Sequence, residues 1–211
     1  MKILLIYGFG HYTTARYYED CLRRQKDVEV IPIYDPKIIM AQVLSKVTPD
    51  LIIVIEGHYP QEIMGLQDCK IPKIYLGVDT HLRENELFKI ASEFDTVYFA
   101  QKPAVEKFNK KFGDKAIWLP LACEPLFHQE LQLPQDYDIA FVGGTDLADV
   151  HLRRRELLKK LINAGLKVWV GRACGLWLSY IYSKSKIVFN NAVNGDLNMR
   201  VFEAMACKRL L

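Results

Sequence analysis

The sequence predicts an α/β protein of two domains in series, each built on a doubly wound parallel sheet, with the second one cut short. Three observations carry that expectation. Apolar runs of strand length alternate with amphipathic stretches of helix length. The runs are continuous in Val, Ile and Leu rather than alternating apolar with polar, which is the pattern of strands covered on both faces. The alternation lapses once, over residues 122–137, and then restarts.

The first domain is read over residues 1–121. KILLIY (2–7) makes its first strand, and a helix near 13–26 follows with Thr13 as its cap. VEVIPIY (28–34) is the next strand, and PKIIMAQVLSKV (36–47) the helix after it. LIIVIE (51–56), KIYLG (73–77), TVYFA (96–100) and AIWLPL (116–121) complete the strands. Pro103 suits the first turn of the helix PAVEKFNKKF, and Gly113 its end.

Residues 122–137, ACEPLFHQELQLPQDY, contain two prolines and no periodic apolar stripe, and read as a linker. The second domain is read over residues 138–211. DIAFVGG (138–144) is a strand and glycine turn, and HLRRRELLKKLINAG (151–165) a helix stopped by Gly165. KVWVG (167–171) is a strand, GLWLSYIYSKS (175–185) a helix and KIVFN (186–190) a strand. NMRVFEAMACK (198–208) is a helix with Asn198 at its N-cap, and RLL would start a further strand. Three strands and the start of a fourth make a poor independent core. The ending on Leu210-Leu211 is therefore expected to be a cut, the alternative being an apolar tail that docks on the last helix. A cut sheet exposes an apolar edge, from which self-association is expected.

Composition narrows the function classes. The chain has 211 residues, half of them hydrophobic and a quarter charged, with a net charge of +3. That charge is too small to argue for nucleic acid or an anionic membrane. Arg153-Arg154-Arg155 lacks the interleaved aromatics of base stacking and reads as a solvated helix face. No run of 18 apolar residues is present, so no transmembrane helix is expected. A glycine-rich turn follows the first apolar run, which favours a strand over a signal peptide. The five cysteines are widely spaced, with no CxxC and no Cys/His cluster. They read as reduced thiols of a cytoplasmic protein, and no metal site is expected.

In an open parallel sheet, ligands bind outside the carboxyl ends of the strands. Gly8-Phe9-Gly10-His11 follows the first strand, Gly57-His58 the third, and Gly77-Val78-Asp79-Thr80-His81 the fourth. Three histidines thus gather at one expected edge, where each is either simply solvated or able to shuttle protons and donate to phosphate and sugar oxygens. GFGHYT is half of a dinucleotide fingerprint. Thr13 stands in its third glycine position, and Asp35 at the end of the second strand reads equally well as a turn, so a nicotinamide dehydrogenase is set aside. In the second domain, Gly143-Gly144 allows a phosphate to approach backbone amides ahead of a helix, and Arg172 follows the next strand. Asn194 to Asn198 form a polar loop, Arg200 lies in the first helical turn, and Glu203 follows at i+3. A carboxylate there can accept both hydroxyls of a ribose, and an arginine can neutralise a phosphate. The same spacing equally describes a surface ion pair.

At these residues the chain resembles the CgeB-like glycosyltransferases, named after a bacterial spore-maturation protein. DYDIAFVGG, YSKSKIVFN and DLNMRVFEAMAC carry the resemblance, with TVYFAQK and WLPLACEPLFH around the linker. It covers about residues 50–211, and the Asn-x-Arg-x-Phe-Glu-Ala block is its most specific part. The resemblance implies a GT-B fold, in which two Rossmann-like domains face each other across a cleft. The nucleotide-sugar donor then binds mainly to the second domain and the acceptor to the first. It implies that Glu203 meets the donor ribose, that Asn198 and Arg200 belong to the same block, and that Gly143 and Gly144 face the diphosphate. His81 falls near the position of a histidine beside the transferring sugar, with Gly10, His11, His58 and Asp79 on the acceptor side. Two positions depart from the pattern: Gly195 stands where many related transferases have a second glutamate, and Lys208 where a glycine usually follows.

The expectation is therefore transfer of a sugar from a nucleotide diphosphate sugar to an unknown acceptor, without a metal. The alternative is a catalytically inactive module that binds a nucleotide or nucleotide sugar. A response-regulator-like or flavodoxin-like signalling domain is disfavoured, because the acidic cluster it needs after the first strand is absent.

Overall fold

The computed structural model describes residues 1–8, 14–56, 62–146 and 149–211. The chain divides into two compact units, Met1–Pro120 and Leu121–Leu211. The first runs β1 (Lys2–Ile6), α1 (Ala15–Arg23), β2 (Glu29–Ile33), β3 (Lys37–Ile39), α2 (Met40–Leu44), β4 (Leu51–Ile55), β5 (Glu62–Met64), β6 (Lys73–Gly77), α3 (Glu84–Ala91), β7 (Thr96–Phe99), α4 (Lys102–Phe112) and β8 (Ala116–Trp118). Six of these strands form one sheet in the order β2-β1-β4-β6-β7-β8. Every pairing in it is parallel. This is the helix-flanked parallel α/β architecture that the uninterrupted apolar runs predict. Ile3 to Ile6 and Ile52 to Ile55 are buried without a break, as strands covered on both faces require.

Local chemistry explains the details. β2 contains Pro32, which donates no ladder hydrogen bond, and β2 lies at the edge of the sheet where that is tolerated. Phe88, Phe99 and Phe108 meet edge-on or tilted at centroid distances of 5.3 to 5.5 Å and fasten α3 and α4 to the sheet. Pro103 lies in the first turn of α4, and Gly113 ends it at φ 87°. Thr13 lies outside the described residues, and Thr14 occupies the N-cap position of α1 without a side-chain cap. One expected helix is shorter than predicted. Residues 37–39 extend as β3 and pair in parallel with β5, and α2 begins only at Met40. Pro36 and the β-branched pair Ile38-Ile39 favour the extended form there, and Ile38 is buried by it.

The second unit runs β9 (Tyr137–Val142), α5 (Leu152–Asn163), β10 (Val168–Gly171), α6 (Gly175–Ser183), β11 (Ser185–Val188) and α7 (Met199–Ala206). Its parallel sheet has the order β10-β9-β11, with β9 in the centre. Leu210 adds a parallel bridge to Ile187, and the Val188 amide donates to the Leu210 carbonyl at 2.8 Å. The core joins Ala140 and Val142 of β9 to Leu178, Ile181 and Tyr182 of α6 and Ala204 and Cys207 of α7 and its end.

The stretch read as a linker is tied to α6. The amides of Gln129 and Leu131 donate to the hydroxyls of Ser179 and Ser183 at 3.0 and 2.8 Å. Ser179 in turn donates to the Phe127 carbonyl. Among the described residues all five cysteines are free thiols. No described helix is long and apolar enough to cross a membrane.

Candidate functional site

In the second unit the chain leaves β9 for β10 on one side, then crosses back to β11 on the other. The carboxyl ends of β9 and β11 therefore flank a topological switch point, where open α/β sheets hold their ligands. Two arginines meet there. Arg200, in the first turn of α7, donates from Nε and Nη2 to the Val142 carbonyl at 3.0 and 2.7 Å, and from Nη1 to Asn190 Oδ1 at 2.8 Å. Arg154, from the first turn of α5, donates from Nη1 to the Gly144 carbonyl at 2.7 Å. Its Nη2 and Nε reach the Asn191 carbonyl at 2.9 and 3.3 Å. Each arginine thus clips the end of β9 to the chain just beyond β11. Both guanidinium groups lie against the Phe141 ring, at 4.7 Å for Arg200 and 5.1 Å for Arg154.

Neither arginine has a carboxylate at ion-pair distance among the described residues. Arg154 is buried, and burial together with the like charge of Arg200 lowers its pKa to about 10. Carbonyl and amide oxygens supply their direct contacts among the described residues, while the Asp146 charge favours the charged Arg154 from further off and the Glu203 carboxyl feels Arg200. An anion would be favoured electrostatically beside them.

The glycine turn is shaped by the same groups. Gly143 adopts φ 157°, and a Cβ on it would stand 2.6 Å from Arg200 Nη2. A Cβ on Gly144 would stand 2.8 Å from the His151 ring. A side chain at either position would have to displace Arg200 or His151. Asp146, just past the turn, bonds His151 Nδ1 at 2.8 Å and lies 3.6 Å from Arg172 Nη2. Arg172 is therefore on the same rim, with its side chain more than half exposed.

Asn198 stands at the N-cap of α7 as expected, with φ −77° and ψ 167°. Its side chain does not cap the helix. It donates instead to Asn190 Oδ1 at 3.1 Å, beside the Arg200 contact. Its own Oδ1 is buried and has no hydrogen-bond partner among the described residues. Glu203, one turn beyond Arg200, is buried and turned away from bulk solvent. Desolvation pushes its carboxyl up to about 7, with Arg200 opposing. His128, from the segment ahead of β9, brings its Nε2 to 3.8 Å from Glu203 Oε1.

The predicted donor-side residues Gly143, Gly144, Arg172, Asn198, Arg200 and Glu203 thus share one end of one sheet. Arg154 corrects the reading of the arginine run as a solvated face: the middle arginine is buried. The sequence carries a signal for this, since Arg154 is four residues before the buried Leu158 and so lies on the inward face of α5. His128 had no such signal, because it lies where periodicity lapses.

In the first unit, Asp79 and His81 follow β6. The Asp79 amide and the Thr80 hydroxyl both donate to Glu56 Oε2 at 3.1 Å. Glu56, at the end of β4, is buried, and its carboxyl is raised to about 7 by burial and then by the Asp79 charge. His81 is partly buried, and its Nδ1 has no hydrogen-bond partner among the described residues. A Cβ on Gly77 would stand 2.5 Å from the Phe99 ring, so the strand end admits only glycine without rearrangement. Gly10, His11 and His58 lie outside the described residues.

No protein-family model matches this chain, and no curated protein matches it significantly.

Proposed function

We propose that the chain binds a nucleotide diphosphate sugar at the β9/β11 edge of its second unit and transfers the sugar to an acceptor without a metal. The observation that carries this is the convergence of Arg154 and Arg200 on the switch point. Their hydrogen bonds among the described residues go to neutral oxygens, beside the Gly143-Gly144 turn. Two guanidinium groups without carboxylate partners suit a diphosphate, and they would stabilise it further as it leaves. Arg172, exposed on the same rim, supplies a third cation. The resemblance to CgeB-like transferases supports the choice of a sugar donor over other anions, and it makes Glu203 the partner of the ribose.

A second reading has its own observation. Arg200 already spends Nε, Nη1 and Nη2 on Val142 and Asn190, and Glu203 is buried. Such a corner is built to hold the fold, and a module that binds a nucleotide without catalysis would keep it.

Thermal shift with ADP, CDP, GDP and UDP, their sugars and the bare nucleosides tests the binding. A ligand at 100 times its dissociation constant adds about 2.7 kcal/mol of stability. At least one diphosphate should stabilise the protein, and its nucleoside should do so much less. Equal stabilisation by both would sink the role given to the arginines. Release of nucleoside diphosphate from the bound sugar nucleotide then separates the transferase from the inactive module.

A further inference from the structure

The segment ahead of β9 presents an imidazole to the Glu203 carboxylate, and its chemistry is set locally. Residues 124–128 form a tight turn in which the Glu124 carbonyl accepts from the Phe127 and His128 amides at 3.0 and 2.8 Å. The Glu124 amide donates to His128 Nδ1 at 2.9 Å. A ring nitrogen that accepts carries no proton, so the proton of the neutral ring sits on Nε2. That nitrogen is 3.8 Å from Glu203 Oε1, and the His128 side chain is fully buried. The gap exceeds a direct hydrogen bond, yet a small carboxylate movement or one shared water would close it.

The surroundings of Glu203 are otherwise sparse. Arg200 on its own helix is the cation that lowers its pKa. The hydroxyl of Tyr182 on α6 is buried and lies in the field of Glu203 and Arg200. Cys207, at the end of α7, is raised by burial and also feels Glu203. On the far side of the ring, Glu124 is the acid that acts on His128. Burial outweighs it and lowers the imidazole to about 4, so the ring is a neutral donor near pH 7. A neutral donor can stabilise a carboxylate without adding a second buried charge.

We propose that His128 is a positioning residue whose Nε2–H favours the charged form of the Glu203 carboxyl beside the β9/β11 crevice, where the carboxylate accepts the hydroxyl hydrogens of a vicinal diol. The proposal rests on the nucleotide reading of the site and identifies a donor that favours the ionised form of its ribose-binding acid. Without a donor, burial favours the protonated acid, which accepts hydroxyl hydrogens poorly.

Nuclear magnetic resonance of the whole ligand-free chain tests the link directly. The 15N shifts of His128 should show the proton on Nε2 from about pH 5 to pH 8. The 13C carboxyl titration of Glu203 should move up by about one pH unit in His128→Leu. It should stay in place in His128→Gln, whose amide can donate from a similar position. A proton on Nδ1, or an unmoved midpoint in His128→Leu, overturns the proposal. If His128→Leu fails to fold, the wild-type tautomer and His128→Gln decide it, and an upward shift in the latter counts against it.

A binding arm uses whichever of ADP, CDP, GDP and UDP binds most tightly. Its affinity in His128→Leu should fall more at about pH 6.5 than at about pH 8.5, because high pH ionises Glu203 without help. Equal losses at both would mark a merely structural residue and overturn the proposal. If no nucleoside diphosphate binds the wild type, the nucleotide reading fails, and the ligand-free titration still decides what His128 does to Glu203.

Discussion

Burying a guanidinium removes strong hydration, and at Arg154 three hydrogen bonds to the Gly144 and Asn191 carbonyls replace it. Removing the side chain would leave those carbonyls unpaired, at about 1–3 kcal/mol for each group that stays dry. Arg154→Ala should therefore destabilise the protein by about 2–4 kcal/mol in urea unfolding, whereas Arg153→Ala, on the exposed side of α5, should stay within about 0.5 kcal/mol. Equal effects would mean that the clip across the two strand ends carries no stability. Buried titratable groups make a second residue-level demand. Glu56 and Glu203 are raised from 4.5 to about 7, so the folded state holds protons there that the unfolded state has lost. Their stabilising contribution is complete below pH 4.5 and is lost as pH rises through 7. His128 is lowered from 6.5 to about 4 and acts oppositely, its contribution lost as pH falls through 4. Above its unfolded value the two acids act unopposed by it. Stability should therefore fall most steeply as pH rises from about 6.5 to about 7 and level off above that, by about 1.4 kcal/mol per acid between pH 6 and pH 8. Glu203→Gln should remove about half of that fall, and an unchanged slope in this variant would show that Glu203 titrates normally.

At the scale of elements, the segment over residues 121–136 shows how irregular chain is held in place. Its amides at Gln129 and Leu131 are satisfied by Ser179 and Ser183 on consecutive turns of α6, and both serines are fully buried. Two hydroxyls at i and i+4 thus form a short ladder along one helix face. Amide hydrogen exchange should find Gln129 and Leu131 protected. Ser183→Ala should expose Leu131 selectively and cost about 1–3 kcal/mol. Rapid exchange at Leu131 in the wild type would contradict the ladder. The arrangement also carries His128 to Glu203, so a stretch without secondary structure supplies part of the site. The clipping of β9 to the chain beyond β11 is likewise an element-scale device. Arg200 and Arg154 begin different helices, α7 and α5, yet both close on the same strand ends.

At the scale of the molecule, the α/β class, the position of most strands and the rim that carries Gly143, Arg172 and Arg200 were legible in the sequence. Those follow from short-range rules. Continuous apolar runs need cover on both faces, and in a parallel sheet each loop after a strand belongs to the same edge. Gly143, Arg172 and Glu203 could be grouped on that ground before any contact was known. The strand order that makes the β9/β11 boundary a switch point comes from long-range packing. Such packing also decided the burial of Arg154, the pairing of β3 with β5, and the approach of His128 to Glu203. Each of these joins residues far apart in the chain, as His128 and Glu203 are. Periodicity reports which face of an element is apolar, and says nothing of which distant partner will cover a polar group on it. An arginine within a basic run looks solvated by composition. Only the carbonyls that it meets, brought together by the crossing of the chain over β9, turn it into a buried clip.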